Sequence, residues 1–530
     1  MRRREFLKLA GAAVAGGVSG GWPGAAGAEP AGAAGLTLTT DAEVAHILPT
    51  VSHDRMLVKV SFFEPQHPAP ELRVGNGVVA GQQTDSAARF WQFDVDGLDP
   101  QTGYELELRK DGCAVFEPWQ LSTFPDPASA PGSFRLLVFT CAGGHDIFNV
   151  YVPMPLRRRL LRRALEFAPD AALAIGDHIY WDLRSLPGSL ILGDSSTAKD
   201  FAGELDRASS VLGTANERIL TRAVDAQIAS LYGTIFRSLP VYFARDDHDY
   251  FEDDRVTDAL TTFPPDPFSF DLARSAQRLY YPEFLPDPTR PSTLPDSGAA
   301  DRPPGTSETF GTLRYGKLVE ALVYDCKGYI TGGGAAGRFV PGDVEAWLMA
   351  RMAGSDAAHV VNVPGNPMGW SAGKFVEWYP DVVVGGQLTT SQPKDGWNQG
   401  WLDQHDRILQ AAAARTSTPL VLSGDMHSIA ETRITRTGST DLSHNPVVSL
   451  ISATPGTGRF GWPSIVRGTK AGKPAAIDTD PIVPVEEVNG FHIVDFEPGG
   501  FTIRHFRWDI ETESPDAIDS LMPFHVSVHT

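Results

Sequence analysis

Cysteine is scarce in this chain: Cys113, Cys141 and Cys326 are the only three in 530 residues. An odd count leaves at least one thiol without a disulfide partner. Positive charge is also short. Lys and Arg number 45 against 65 Asp and Glu, a formal charge of -20. That balance argues against non-specific binding to nucleic acid or to an anionic membrane surface. It does not exclude a phosphate substrate, because bound cations can dominate the charge of a site. Beyond the N-terminal leader no apolar run is long enough to span a bilayer. Two familiar signatures are missing as well. The spaced glycines of Gly332 to Phe339 lack the Gly-Lys-Ser/Thr ending of a phosphate loop. No Gly-x-Ser-x-Gly elbow follows a strand-like run outside the leader, which argues against a serine hydrolase. No internal repeat is present.

What is there has ordinary globular proportions, 42% hydrophobic and 21% charged, in a chain long enough for two or three domains. The first 28 residues read as an export signal. Arg2-Arg3-Arg4-Glu5-Phe6-Leu7-Lys8 matches a twin-arginine pattern, a weakly apolar stretch runs from Leu9 to Gly20, and Ala26-Gly27-Ala28 supplies a cleavage site. The expected location is periplasmic or secreted, with the twin-arginine export machinery as a partner. Residues 29–35 form an Ala/Gly/Pro linker. From 36 to 125, short alternating runs such as Leu57 to Phe62 and Phe90 to Val95 predict a β-sandwich. Pro125 to Pro131 is a stiff linker. From 132 to 515, strands alternate with helical segments, so the expected class there is α/β. Helices are predicted over Pro155 to Phe167, Asn216 to Leu239 and Asp343 to Met352, and a closing hairpin over Phe491 to Phe496 and Phe501 to Trp508. The Pro-rich stretch from Phe263 to Gly305 is expected to hold little regular structure.

Three polar clusters each follow an apolar run. Gly176-Asp177-His178-Ile179-Tyr180 follows Ala171 to Ile175, Asp246-Asp247-His248-Asp249 follows Val241 to Ala244, and Gly424-Asp425-Met426-His427 follows Leu420 to Leu422. A fourth run, Phe134 to Thr140, ends at Cys141. Strand carboxyl ends are where open α/β sheets place their ligand sites. Three carboxylates around a histidine are expensive without a cation. Together the clusters predict one metal centre gathered from distant segments. Asp177 is the natural bridging carboxylate. Cys141, Tyr180 and His427 suit a softer ion and Asp247 and Asp425 a harder one, with His248 as the acid that protonates the leaving oxygen. Asp246 could instead orient a neighbour. Trp397 and Trp401 could wall the pocket or simply pack. Cys113 and Cys326 are expected to be buried and reduced.

The order of these clusters resembles the metallophosphatase superfamily, whose strand ends carry Gly-Asp, then Gly-Asn-His and an acid, then Gly-His-x-His. Asp247-His248-Asp249 falls at the second motif, and Gly424-Asp425-Met426-His427 at the third, with Asp425 replacing the first His. Cys141, Tyr180 and that Asp-for-His exchange resemble the alkaline phosphatase D (PhoD-like) family, over roughly residues 36–515. The resemblance implies an αββα sandwich, an iron and calcium pair, and hydrolysis of a small phosphoester, monoester or diester. It leaves open a phospholipase D-like diesterase and a metal-bearing binding protein without turnover. The N-terminal segment is similar to fibronectin type III domains at Leu98, Pro100 and Tyr104. Arg245 stands where that family branch has Trp, Asp249 where Glu is usual, and Asp325-Cys326-Lys327 where a Thr-Arg pair is typical.

Overall fold

The computed structural model describes residues 43–146, 150–181, 202–250 and 264–530; the leader and the linker after it lie outside them. The first strands alternate as their sequences do. Val44–Val51, Met56–Phe62, Phe90–Val95 and Gln82–Gln83 make a four-stranded sheet. Gly77–Ala80, Glu71–Val74, Gly103–Lys110, Cys113–Ala114 and Trp119–Ser122 make a second. Met56, Val58, Val60 and Phe62 from the first sheet share one apolar cluster with Leu72, Leu106, Leu108 and Trp119 from the second. The Asp99 amide donates to the Tyr104 hydroxyl at 2.8 Å and ties the turn before the Gly103–Lys110 strand.

Two larger sheets follow. In one, Phe134–Thr140, Ala171–Ile175 and Val241–Ala244 run parallel, and the antiparallel hairpin Asn489–Glu497/Gly500–Trp508 is added beside Phe134–Thr140. His525–His529 pairs at the outer edge of that hairpin, past the expected boundary at 515. In the other, Val319–Tyr324, His359–Pro364, Leu420–Ser423 and Val447–Ile451 run parallel, flanked by Phe310–Tyr315 on one side and by Ile429–Thr437 on the other. Period-two alternation sorts each strand's side chains. Leu136, Val138, Leu173, Ile175, Val361, Val363 and Leu422 join one cluster shared by both sheets. Leu137, Phe139, Ala174 and Phe243 face instead the helices Met154–Leu165, Ala215–Val224 and Pro267–Tyr280. Leu322, Val360 and Val421 face the helices Gly342–Gly354 and Gln399–Ala413. Each fully buried Leu or Val in these layers contributes about 1.5–3 kcal/mol.

The two large sheets are also joined by a buried polar cluster. Glu431, from Ile429–Thr437, accepts from His505 Nε2 at 2.7 Å, Ser527 Oγ at 2.6 Å and His529 Nε2 at 2.7 Å.

Three expectations need correction. The stretch from Phe263 to Gly305 holds the 14-residue helix Pro267–Tyr280. Proline density suggested irregularity, but Pro267 occupies the first helical turn, where its missing N–H is no loss, and Asp266 caps by accepting from the Ser269 amide at 2.8 Å. The predicted helix from Asn216 to Leu239 is interrupted by a π turn over Asp225–Ala229 and ends at Tyr232. Cys113 is exposed on its short strand rather than buried, while Cys326 is buried; all three cysteines are free thiols.

Candidate metal centre

The ends of the parallel strands from both large sheets turn toward one point, and the turns are strained. Among the described residues, nine other than glycine have positive φ, and four of them are Cys141 (49°), Asp177 (54°), Asp425 (69°) and His427 (46°). Such backbone costs of order 1–3 kcal/mol per residue and collects at functional sites. Neighbouring glycines permit the close approach. A Cβ on Gly176 would meet Asp246 Cβ at 2.5 Å, and one on Gly424 would overlap the Thr140 hydroxyl and the Ile175 carbonyl. Backbone bonds stitch the turns together, with the Gly176 amide on the Ala244 carbonyl (2.9 Å) and the Cys141 amide on the Gly176 carbonyl (3.1 Å).

Cys141, Asp177, Tyr180 and His427 meet in one group. Cys141 Sγ lies 3.3 Å and the Tyr180 hydroxyl 3.1 Å from Asp177 Oδ2, and His427 Nε2 is 3.0 Å from the Tyr180 hydroxyl. The other nitrogen of His427, Nδ1, is 2.8 Å from the Gly461 carbonyl. A donor bond there leaves Nε2 facing the group, the usual second anchor of a metal-binding imidazole. Gln227, on the π turn, accepts from the Tyr180 amide at 2.8 Å and donates to the Tyr180 carbonyl at 3.1 Å, so the helix break holds Tyr180 in place. Asp249 faces away from any ion. Its two oxygens accept the amides of Asp177 (3.0 Å), His178 (2.9 Å), Ile179 (3.2 Å) and Asp246 (3.0 Å), which fixes the turn carrying Asp177. Burial, with the nearby Asp247 charge, pushes the Asp177 carboxyl up to about 7. Burial and the Asp177 charge push the Cys141 thiol and Tyr180 phenol well above their usual values, and burial drops His427 to about 4. A bound cation reverses this logic for thiol, phenol and carboxyl alike.

Asp246, Asp247 and Asp425 meet in an adjoining group. Here the partners are lysines. Lys374 Nζ is 3.0 Å from Asp247 Oδ2 and donates a short bond to Asp425 Oδ1, and Lys327 Nζ is 3.4 Å from Asp246 Oδ1. Burial pushes the Asp247 carboxyl up, but the Lys374 and Lys327 ammonium groups overcome it and hold it well below the usual range. Burial dominates at Asp246, which is pushed well up. His248 completes the neighbourhood. Its ring centroid is 4.3 Å from that of Tyr180, and it groups with Asp177 and Asp247.

Several polar atoms at the centre lack a hydrogen-bond partner among the described residues: Asp177 Oδ1, Asp247 Oδ1, Asp425 Oδ2 and Asp246 Oδ2. Buried carboxylate oxygens without donors are what a cation would satisfy, so the donor set fits a metal.

All seven sequence-predicted site residues, Cys141, Asp177, Tyr180, Asp247, His248, Asp425 and His427, therefore come together. Arg245 turns away instead, bonding Gln277 and standing 3.8 Å from Glu308. Asp325 accepts the amides of Lys327 (2.7 Å) and Gly328 (2.9 Å) and shapes the turn that aims Lys327. Trp397 and Trp401 are anchored by their indole N–H groups to the carbonyls of Trp378 and Thr331, a packing role. Sequence reasoning missed Lys374, which lies in a long loop with no motif around it. It also passed over Asn362 and Asn366, fully buried at and just beyond the end of the His359–Pro364 strand, with unpartnered amide groups.

No protein-family model and no curated protein matches the chain. Solved structures do. A structure of PhoD aligns over 92% of this chain and 89% of its own, with a TM-score of 0.57 and 13% identity. Purple acid phosphatase PPD1 from yellow lupin (Lupinus luteus) seeds aligns over 92% of this chain and 74% of its own, with a TM-score of 0.53 and 11% identity. The chain thus has a mixed α/β fold shared with PhoD and with a plant purple acid phosphatase, with its polar clusters gathered at the strand ends of that fold.

Proposed function

We propose that this protein is an exported, metal-dependent phosphoesterase, similar to alkaline phosphatase D, that hydrolyses small phosphomonoesters, phosphodiesters or both. The observation that carries the reading is the meeting of Cys141, Asp177, Tyr180 and His427 at the ends of strands from two sheets, with Asp247, His248 and Asp425 beside them. Thiol, phenol and imidazole around one carboxylate suit iron or zinc, and the family resemblance favours iron. Bound there, such an ion would lower the pKa of a coordinated water and neutralise charge on the phosphoryl oxygens. The chain's own groups supply the rest. Gly461 orients the His427 ring, and Asp249 and Gln227 fix the turn that carries Asp177 and Tyr180. His248, half-buried beside Tyr180, gives its proton to the departing alkoxide oxygen. The family resemblance adds calcium, which the all-oxygen group Asp246, Asp247 and Asp425 would suit by donor type were Lys374 not set between Asp247 and Asp425.

Export rests on the Arg2 to Lys8 pattern and the Ala26-Gly27-Ala28 site, read by the twin-arginine machinery. Among the described residues no helix is long and apolar enough to cross a membrane. The test is elemental analysis of the exported protein beside hydrolysis of a chromogenic phosphomonoester and a phosphodiester, with and without calcium. Bound iron with turnover supports the reading. Correctly exported protein with neither metal nor turnover overturns it.

A further inference from the structure

We propose that the ammonium group of Lys374, rather than a second metal ion, neutralises the Asp247 and Asp425 carboxylates, so that each chain holds a single ion, on Cys141, Asp177, Tyr180 and His427. The inference rests on the metallophosphoesterase reading above and narrows it.

The first observation is position. Lys374 Nζ touches Asp247 Oδ2 and Asp425 Oδ1 together, the two carboxylates expected to share the harder ion. An ion bound by these two oxygens would have to take the place the ammonium now holds. The second is burial. Lys374 is 7% exposed and Lys327 0%, so neither is a surface side chain that swings in from solvent. The third is the loop. The Ala372 amide donates to Glu377 at 2.8 Å, and Ser371 Oγ donates to the other Glu377 oxygen at 2.7 Å. Ser371 also exchanges backbone bonds with Gly472 (3.0 and 2.8 Å). Gly373 adopts φ of 70°, and a Cβ there would press on Val383 at 2.7 Å. Backbone just before the lysine is thus fixed independently of the carboxylates.

Charge counting agrees. Asp177, Asp246, Asp247 and Asp425 bring four negative charges when ionised, and Lys374 and Lys327 return two. A second divalent ion would sit against two ammonium groups. A lysine can serve in this way because its ammonium is a compact point charge with three donors.

The test counts metals on the full, folded chain. Wild type and the variants Lys374→Ala and Lys374→Arg are equilibrated with iron and an excess of calcium, desalted, and analysed for each element. The expected result is one ion per chain for wild type and Lys374→Arg, and two for Lys374→Ala. Calorimetric titration of calcium into the iron-loaded proteins should show Lys374→Ala binding on the order of 100-fold more tightly, the upper range for a group that touches metal ligands. Two ions on wild type overturn the proposal. So does a folded Lys374→Ala, checked by circular dichroism, that still holds one. If Lys374→Ala does not fold, the wild-type count decides alone. Absence of any ion from all three proteins defeats the metal-centre reading itself, a different outcome from a count of two.

Discussion

The buried polar cluster around Glu431 and the one at the candidate metal centre differ in how they are satisfied. Around Glu431, both oxygens are filled by donors from His505, Ser527 and His529, at 2.6–2.7 Å. Around Asp177, Asp247 and Asp425, each carboxylate keeps one oxygen with no donor among the described residues. The residue types are much the same, acids and histidines. The backbone is not. The Glu431 cluster is built within paired strands, whereas the candidate centre is built on left-handed turns past strand ends. A closed network of this kind rigidifies a core. An open one, held by strained backbone, is a place for a ligand. The Glu431 cluster fastens the last strand and the closing hairpin to the opposite sheet, and its job is finished when the chain has folded.

The comparison breaks most visibly if the open cluster proves dispensable. Asp177→Asn keeps the shape but removes the carboxylate at the middle of the donor set. It should lose the bound metal and lower hydrolysis by about 10²–10³-fold, the size of effect when one preorganised electrostatic stabiliser is removed. Far-UV circular dichroism should not change. Retained metal and turnover would mean that Asp177 is a structural turn residue. Next is His248→Ala. Metal content should stay at the wild-type level while kcat falls about 10²–10⁴-fold on an alkyl phosphoester. The loss should shrink on a nitrophenyl ester, whose leaving oxygen needs no proton. An equal loss on both substrates would remove His248 from the role of general acid.

The two clusters were unequally legible in the sequence. The open one announces itself because each of its parts follows a short apolar run, and an acid at the end of a buried strand has few other reasons to be there. The family resemblance sharpened that reading to individual residues. The closed one is invisible, since Glu431, His505 and His529 lie within strands, the two histidines 74 and 98 residues from Glu431. Only the sheet pairing brings them together. Lys374 was hidden for a related reason: its partners are 127 and 51 residues away, and a lone lysine in a loop reads as a solvated charge. Local rules misled in one further place. Proline counting erased the Pro267–Tyr280 helix, although Asp266 and Pro267 together form a proper helix start. Layering, by contrast, followed directly from alternation, as Leu136 and Val138 against Leu137 and Phe139 illustrate.

The smallest expected effect tests the closed cluster. The Glu431 carboxyl is drawn down to about 2: burial alone would raise it, but the bonds from His505, His529 and Ser527 overcome that. A carboxyl depressed on folding adds stability above its unfolded value of about 4.5, and that stability is lost as pH falls through the folded value. The shift corresponds to about 3 kcal/mol at neutral pH. Glu431→Gln should therefore unfold in urea at pH 7 with about 1–3 kcal/mol less stability, because a Gln amide cannot accept on both sides. Its stability should also fall less steeply than wild type between about pH 4.5 and 2, where the native carboxylate would be taking up its proton. Metal content, and turnover per folded molecule at pH 7, should match wild type. A variant that unfolds normally but has lost its metal would join the two clusters into one functional unit, and the distinction between closed and open networks would fail for this protein.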